Sequence, residues 1–130
     1  MGFMAFSPMA NGLLTGAYGK DSKFDSKLDY RSAMPQFTPE AAEENRELLR
    51  VLDVLAKDRH ATPAQLSLAW MLCKKPYIVP IPGSRKVERM RENAGAAEVQ
   101  LSAAEVAQID HILDTIPMSA VFGGTKVINK

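Results

Sequence analysis

Cysteine is nearly absent from this chain: Cys73 is the only one in 130 residues, which excludes a disulfide framework and a cysteine zinc cluster. No apolar run approaches the roughly 18 residues that span a bilayer. An excess of one charge is also missing. Sixteen basic residues face fifteen acidic ones, for a net charge of +1, so no bulk attraction to nucleic acid or anionic membrane follows. Neither a GxGxxG fingerprint nor a P-loop occurs. Neither His60 nor His111 has a second ligand at metal spacing, and both read as structural or surface residues. The opening residues, Met1-Gly2-Phe3-Met4-Ala5-Phe6, have no basic flank or small-residue cleavage site of a secretory signal. These absences predict a cytoplasmic chain with neither a membrane nor a nucleic acid as partner.

What is present fits one globular domain, with 46% hydrophobic and 24% charged residues. Gly2 to Phe6 is too short for a helix and is stopped by Ser7-Pro8, so it reads as a buried strand. A loop with Asn11, Gly12 and Gly16 follows. The polar stretch from Tyr18 to Phe37 shows no period and reads as a long loop, functional or partly disordered. Thr38-Pro39-Glu40 marks a helix start, and Leu48, Val51, Leu52 and Leu55 form an apolar stripe reaching toward Asp58. Thr62-Pro63-Ala64-Gln65 is a capping box opening a second helix, whose inward stripe is Leu66, Ala69, Trp70 and Cys73. Tyr77 to Ile81 is the second strand. A third helix runs from about Lys86 to Gly95 with Val87, Met90 and Ala94 inward. The fourth begins at a box, Ser102 to Glu105, and turns Val106, Ile109 and Leu113 inward. Residues 118–130 show no period and read as a flexible tail. The predicted class is α/β. Two parallel strands with about four helices are marginal alone, since such strands normally sit in larger covered sheets.

Chemistry concentrates in two loops that follow strand ends, where α/β proteins place ligands. In Pro82-Gly83-Ser84-Arg85-Lys86, Gly83 permits close backbone approach, Ser84 offers a hydroxyl, and the cations sit at a positive helix end, all favouring an anion. At about 100° per residue, Arg85, Arg89 and Glu92 share one helix face and Asn93 borders it. From Arg85 to Asn93 four bases and two acids give 4 − 2 = +2. That face can hold a phosphate and hydrogen-bond a purine edge. It can equally be a solvated face of i, i+4 ion pairs. The loop Ser7 to Gly12 is a weaker signal, since a turn after a strand needs no ligand. Cys73 shares the Trp70 stripe and reads as core. Tyr18, Tyr30 and Tyr77 have no acid or base partner nearby in the sequence.

Taken in order, the motifs resemble bacterial aldo-keto reductases. Gly2 to Gly16, with Phe6-Ser7-Pro8-Met9, is similar to the family's seventh-strand segment. Leu28-Asp29-Tyr30-Arg31-Ser32 and Pro35 to Pro39 are similar to the loop after it. Thr62 to Trp70 resembles the next helix. Ile78 to Arg85, closing in Glu92-Asn93, resembles the eighth strand and the cofactor motif beyond. The match is collinear from about Gly2 to Leu113.

The resemblance implies that residues 1–130 are the C-terminal portion of a (β/α)8 TIM barrel, carrying its last two strands, in an oxidoreductase that reduces aldehydes or ketones with NADPH. It places Phe6 against the nicotinamide, and Ser7, Pro8, Met9 and Asn11 around the pyrophosphate and neighbouring ribose. Gly83, Ser84 and Arg85 match the loop near the 2′-phosphate, and Arg89 the base that contacts this phosphate or the adenine. Glu92 and Asn93 match the pair at the adenine edge. Ala10-Asn11 departs from the Gly-Arg of many members. The family's catalytic Asp, Tyr, Lys and His belong to earlier strands, and a whole barrel takes about 250 residues. The expectation is a cofactor-binding part, inactive alone, with NADP(H) and a small carbonyl substrate as partners of its parent. The alternative is a non-enzymatic module that assembles with its own copies, or with the N-terminal half, through open strand edges.

Overall fold

The computed structural model describes residues 1–120. Two short strands, β1 (Phe3–Phe6) and β2 (Ile78–Ile81), run parallel, with Phe3 opposite Ile78 and Phe6 opposite Ile81. The helices among the described residues are α1 (Pro39–Glu44), α2 (Arg46–Asp58), α3 (Pro63–Lys74), α4 (Val87–Gly95) and α5 (Ala103–Thr115). The α/β class and the parallel pairing are as the sequence predicts.

Helix α3 is the hub, packed against α2, α4, α5, β2 and the turn at Ala10–Thr15. Its start is set locally. The Thr62 hydroxyl accepts from Gln65 N–H at 3.2 Å, and the Gln65 side chain accepts from Thr62 N–H at 3.1 Å. The core joins Leu48, Leu52 and Ala56 of α2 to Leu66 of α3 and Ile109 of α5, with Trp70 and Leu113 packed against it. Trp70 also donates its indole N–H to Asp110 at 2.9 Å, and Lys74 reaches the same carboxylate at 2.7 Å.

Several elements depart from their predicted surroundings. The strands are open rather than buried: Phe3, Met4 and Phe6 of β1, and Val79 and Ile81 of β2, are all exposed. Their composition suits burial, yet α3 packs against β2 from one side and the face carrying Met4, Phe6, Val79 and Ile81 stays bare. Val87, Met90 and Ala94 of α4 are likewise exposed, because α4 leans on α3 through its Glu92 and Gly95 side. Cys73 is exposed, not core. Helix α3 buries Ala64, Leu66, Ser67, Leu68 and Ala69, more than one stripe, and its last turn runs out beyond the core. The single helix expected from Thr38 breaks at Asn45, whose buried side chain is held by Ser119 from both amide atoms, at 2.8 and 3.0 Å. That contact also ties down the start of the tail; residues 121–130 of it lie outside the described residues. The stretch 18–37 contains 3-10 turns at Tyr30–Ala33 and Pro35–Phe37 in place of a structureless loop.

No residue of α4 itself is buried, while Ala96, in the turn that continues it, is buried and that turn packs on α3. Gln65 adds a polar clasp. Its Nε2 donates to Glu92 O at 3.0 Å, while its Oε1 serves the capping box. A Cβ at position 95 would stand 2.7 Å from that Nε2, so Gly95 is what allows the approach. Gln65→Ala removes both bonds, and we expect a loss of about 1–2 kcal/mol in chemical denaturation. Amide exchange should accelerate in α4 before the core opens; unchanged α4 protection would refute the clasp.

A candidate anion and nucleotide cleft

The loops after β1 and β2 converge with the 18–37 segment around a cleft of about 1130 Å³. All eleven sequence-predicted residues line it: Phe6, Ser7, Pro8, Met9, Asn11, Gly83, Ser84, Arg85, Arg89, Glu92 and Asn93. Pro8 is buried; Ser7, Met9, Asn11, Ser84, Glu92 and Asn93 are half-buried; Phe6, Gly83, Arg85 and Arg89 are exposed.

The turn after β1 is tight and strained. Ser7, Ala10 and Asn11 take φ of 49°, 48° and 60°, a region costly to side chains other than glycine and, to a smaller degree, asparagine. Gly12 at φ 101° faces the Tyr18 ring, which a Cβ would meet at 2.9 Å. Internal bonds hold this shape. The Ser7 hydroxyl donates to Asn11 Oδ1 and accepts from Asn11 N–H, and Asn11 Nδ2 donates to Met34 Sδ at 3.2 Å. The Ser7 and Asn11 side chains therefore brace the turn, and what the turn offers the cleft is mainly backbone and the Met9 side chain.

The 18–37 segment is ordered by an aromatic cluster and one arginine. Tyr18, Phe24 and Phe37 pack with ring centroids 5.0–5.8 Å apart. Arg31 lies 4.8 Å from the Tyr18 ring and 4.7 Å from the Phe24 ring, and donates to Tyr18 Oη at 2.6 Å. Its fork grips Asp29 from Nε at 2.9 Å and from a terminal nitrogen at 2.5 Å. Arg31 holds the Asp29 carboxyl below the usual range, and Arg85 pulls it the same way across the cleft. Tyr18, Asp29, Arg31 and Met34 all line the cleft, and sequence reasoning passed over them. The signal was present: aromatics in a polar stretch need burial, and Asp-x-Arg spacing suits a fork.

Beyond β2, Lys86 N–H is held by Ser84 Oγ at 3.2 Å, and no side chain caps α4. Arg89 pairs with Glu92 at 2.6 Å. Burial pushes the Glu92 carboxyl up, but hydrogen bonds from Thr62 and Arg89 outweigh it, and the group ends below its ordinary 4.5. Thr62 thus links α3's cap to the cleft acid. The arrangement combines guanidinium forks, a hydroxyl, free backbone and one fixed carboxylate. These groups lie at the C-terminal ends of parallel strands and are of the kinds that can engage an anion.

Comparison with known proteins gives the family. The Aldo/keto reductase family model matches residues 1–114, and the chain belongs to that family. It is 38% identical over 111 residues to the aldo-keto reductase yakc [NADP(+)] of Schizosaccharomyces pombe, covering 85% of this chain and 32% of that protein. The aldo-keto reductase str7 of Strobilurus tenacellus is 35% identical over 106 residues, covering 82% and 31%. A probable aldo-keto reductase 1 of Glycine max is 34% identical over 125 residues, covering 95% and 34%. The chain spans about a third of the length of these relatives. No helix among the described residues is long and apolar enough to cross a membrane.

A depressed folded value means that ionised Glu92 stabilises the fold above its unfolded pKa, and that this stabilisation is lost as pH falls through the folded value below 4.5. Unfolding curves of the parent and Glu92→Gln should therefore differ most near neutrality and converge under acid. Parallel curves at every pH would contradict the assignment.

Proposed function

We propose that this chain is the cofactor-binding part of an NADPH-dependent oxidoreductase that reduces aldehydes and ketones, and that its strands are the last two of a (β/α)8 barrel. One observation carries the reading: the residues of two separate motifs, 70 or more positions apart in the sequence, line a single cleft with the chemistry of a phosphate and purine site. The donor set fits NADP(H). Arg85 and Arg89, with Ser84 and the open backbone at Gly83, suit the 2′-phosphate. Glu92 accepts from the adenine amino group and Asn93 serves its ring nitrogens. The turn from Ser7 through Pro8 and Met9 to Asn11 borders the pyrophosphate and ribose, and exposed Phe6 offers a ring face to the nicotinamide. When bound, the cofactor supplies the hydride.

The chain's own contribution is to bind and orient. Reduction of a carbonyl also needs a proton donor at its oxygen, and the catalytic Asp, Tyr, Lys and His that the resemblance implies for that task belong to the family's earlier strands. The isolated 130-residue protein is accordingly read as inactive, with weak affinity for NADP(H). The carbonyl substrate belongs to the parent protein.

Calorimetry with NADP+ and NAD+ tests the reading. Weak NADP+ binding is expected, and Arg85→Ala with Arg89→Ala should weaken it about tenfold, roughly 1.4 kcal/mol, while leaving NAD+ little changed. Equal losses for both nucleotides would reject the 2′-phosphate assignment. Submicromolar NADP+ binding, or steady-state turnover of aldehydes by the isolated chain, would reject the claim that it is only a part of the site.

A further inference from the structure

Arg31 lines the cleft, yet each nitrogen of its guanidinium already has a partner inside the protein. Nε and one terminal nitrogen hold Asp29 at 2.9 and 2.5 Å, and the other terminal nitrogen donates to Tyr18 Oη at 2.6 Å. The Asp29 carboxylate in turn accepts from Arg31 N–H at 3.0 Å, which caps the 3-10 turn at Tyr30–Ala33. Arg31 is therefore anchored by the turn it helps to begin.

What this anchor holds is the Tyr18 ring, and the first wall of the cleft rests on that ring. A Cβ at position 12 would stand 2.9 Å from Cε2 and 3.7 Å from Cδ2 of Tyr18, so the ring lies directly on the Gly12 backbone. That backbone belongs to the strained turn: Gly12 N–H donates to Met9 O at 3.0 Å, and Gly12 O accepts from the Thr15 hydroxyl at 2.6 Å. Phe24 and Phe37 also pack on the ring, with centroids 5.4 and 5.8 Å away. Apolar contact is non-directional, so these two bury the ring without fixing it. The charge-assisted bond to its hydroxyl does fix it. Met34, which ends the same 3-10 turn, reaches Asn11. Both supports of the wall thus leave from one anchored turn.

We propose that Arg31 is a positioning residue: by pinning the Tyr18 ring on Gly12, it sets the shape in which the Ser7–Gly12 turn meets the cofactor's pyrophosphate, given the assignment of the cleft to NADP(H). Arg31 acts here through Tyr18 and touches no phosphate. Its charge is spent on Asp29, and its geometry is what the wall uses.

Calorimetry with two ligands tests this. NADP+ carries the pyrophosphate, whereas adenosine 2′,5′-bisphosphate shares the adenine and the 2′-phosphate and ends at its 5′-phosphate. Tyr18→Phe keeps the ring and the charge of Arg31 and removes only the hydroxyl. Arg31→Lys keeps the charge and removes the fork. Each should weaken NADP+ by about fivefold, the scale of one hydrogen bond, and leave the bisphosphate unchanged. Equal losses for the two ligands would reduce Arg31 to a support of the fold. A loss in Arg31→Lys with none in Tyr18→Phe would mean that Arg31 meets the phosphate itself, and no loss in either would free the turn from the ring. Each of these results overturns the positioning role while the cofactor reading stands. Failure of the unsubstituted chain to bind either ligand rejects that reading, and the role of Arg31 with it.

Discussion

One polar clasp ties the cleft's second wall to the helix at the hub. Helix α4 presents no buried side chain of its own, and the apolar anchor beside it, Ala96, lies one residue past its end. Gln65, already committed to capping α3, extends its remaining donor to Glu92 O, and Thr62 reaches the Glu92 carboxylate. The residues that begin one helix therefore position the next. Because Gln65 serves both at once, the start of α3 and the placement of Arg89 and Glu92 are a single structural event.

The first wall is held by a different kind of constraint. The Ser7–Gly12 turn keeps residues in left-handed conformations, which persist only where neighbours over-determine them. Asn11 provides that by bonding Ser7 on one side and Met34 on the other. Met34 belongs to the 18–37 segment, so the aromatic and arginine cluster is mechanically connected to the turn. Across the cleft Arg85 adds only the weakest of the pulls that lower the Asp29 carboxyl, after those of Arg31. The cleft is a closed circuit of local devices, with little hydrophobic area behind it.

What the sequence disclosed follows the range of the forces involved. The boxes at Thr62 and Ser102 formed as read, since caps depend on neighbours three residues away. The order of strand-end motifs was legible, and its residues do converge. Burial was legible only for helices with one covered side: the α2 stripe packs inward, while Cys73, Val87 and Met90 do not. An apolar side chain states what it prefers and not whether anything stands against it. Arg31 and the break at Asn45 escaped notice because each depends on partners brought near by the fold, Tyr18 and Phe24 for one and Ser119 for the other.

The Asn45–Ser119 contact bears on the order of folding. It joins residues 74 positions apart, so it can form only after the intervening chain, α5 included, has collapsed onto α3. Closure entropy grows slowly with loop length, about (3/2)RT ln n, but it is spent before so distant a contact returns anything. The joint between α1 and α2 is therefore pinned by the most distant of the side-chain contacts around it, one that rewards the chain only when both of its ends are in place.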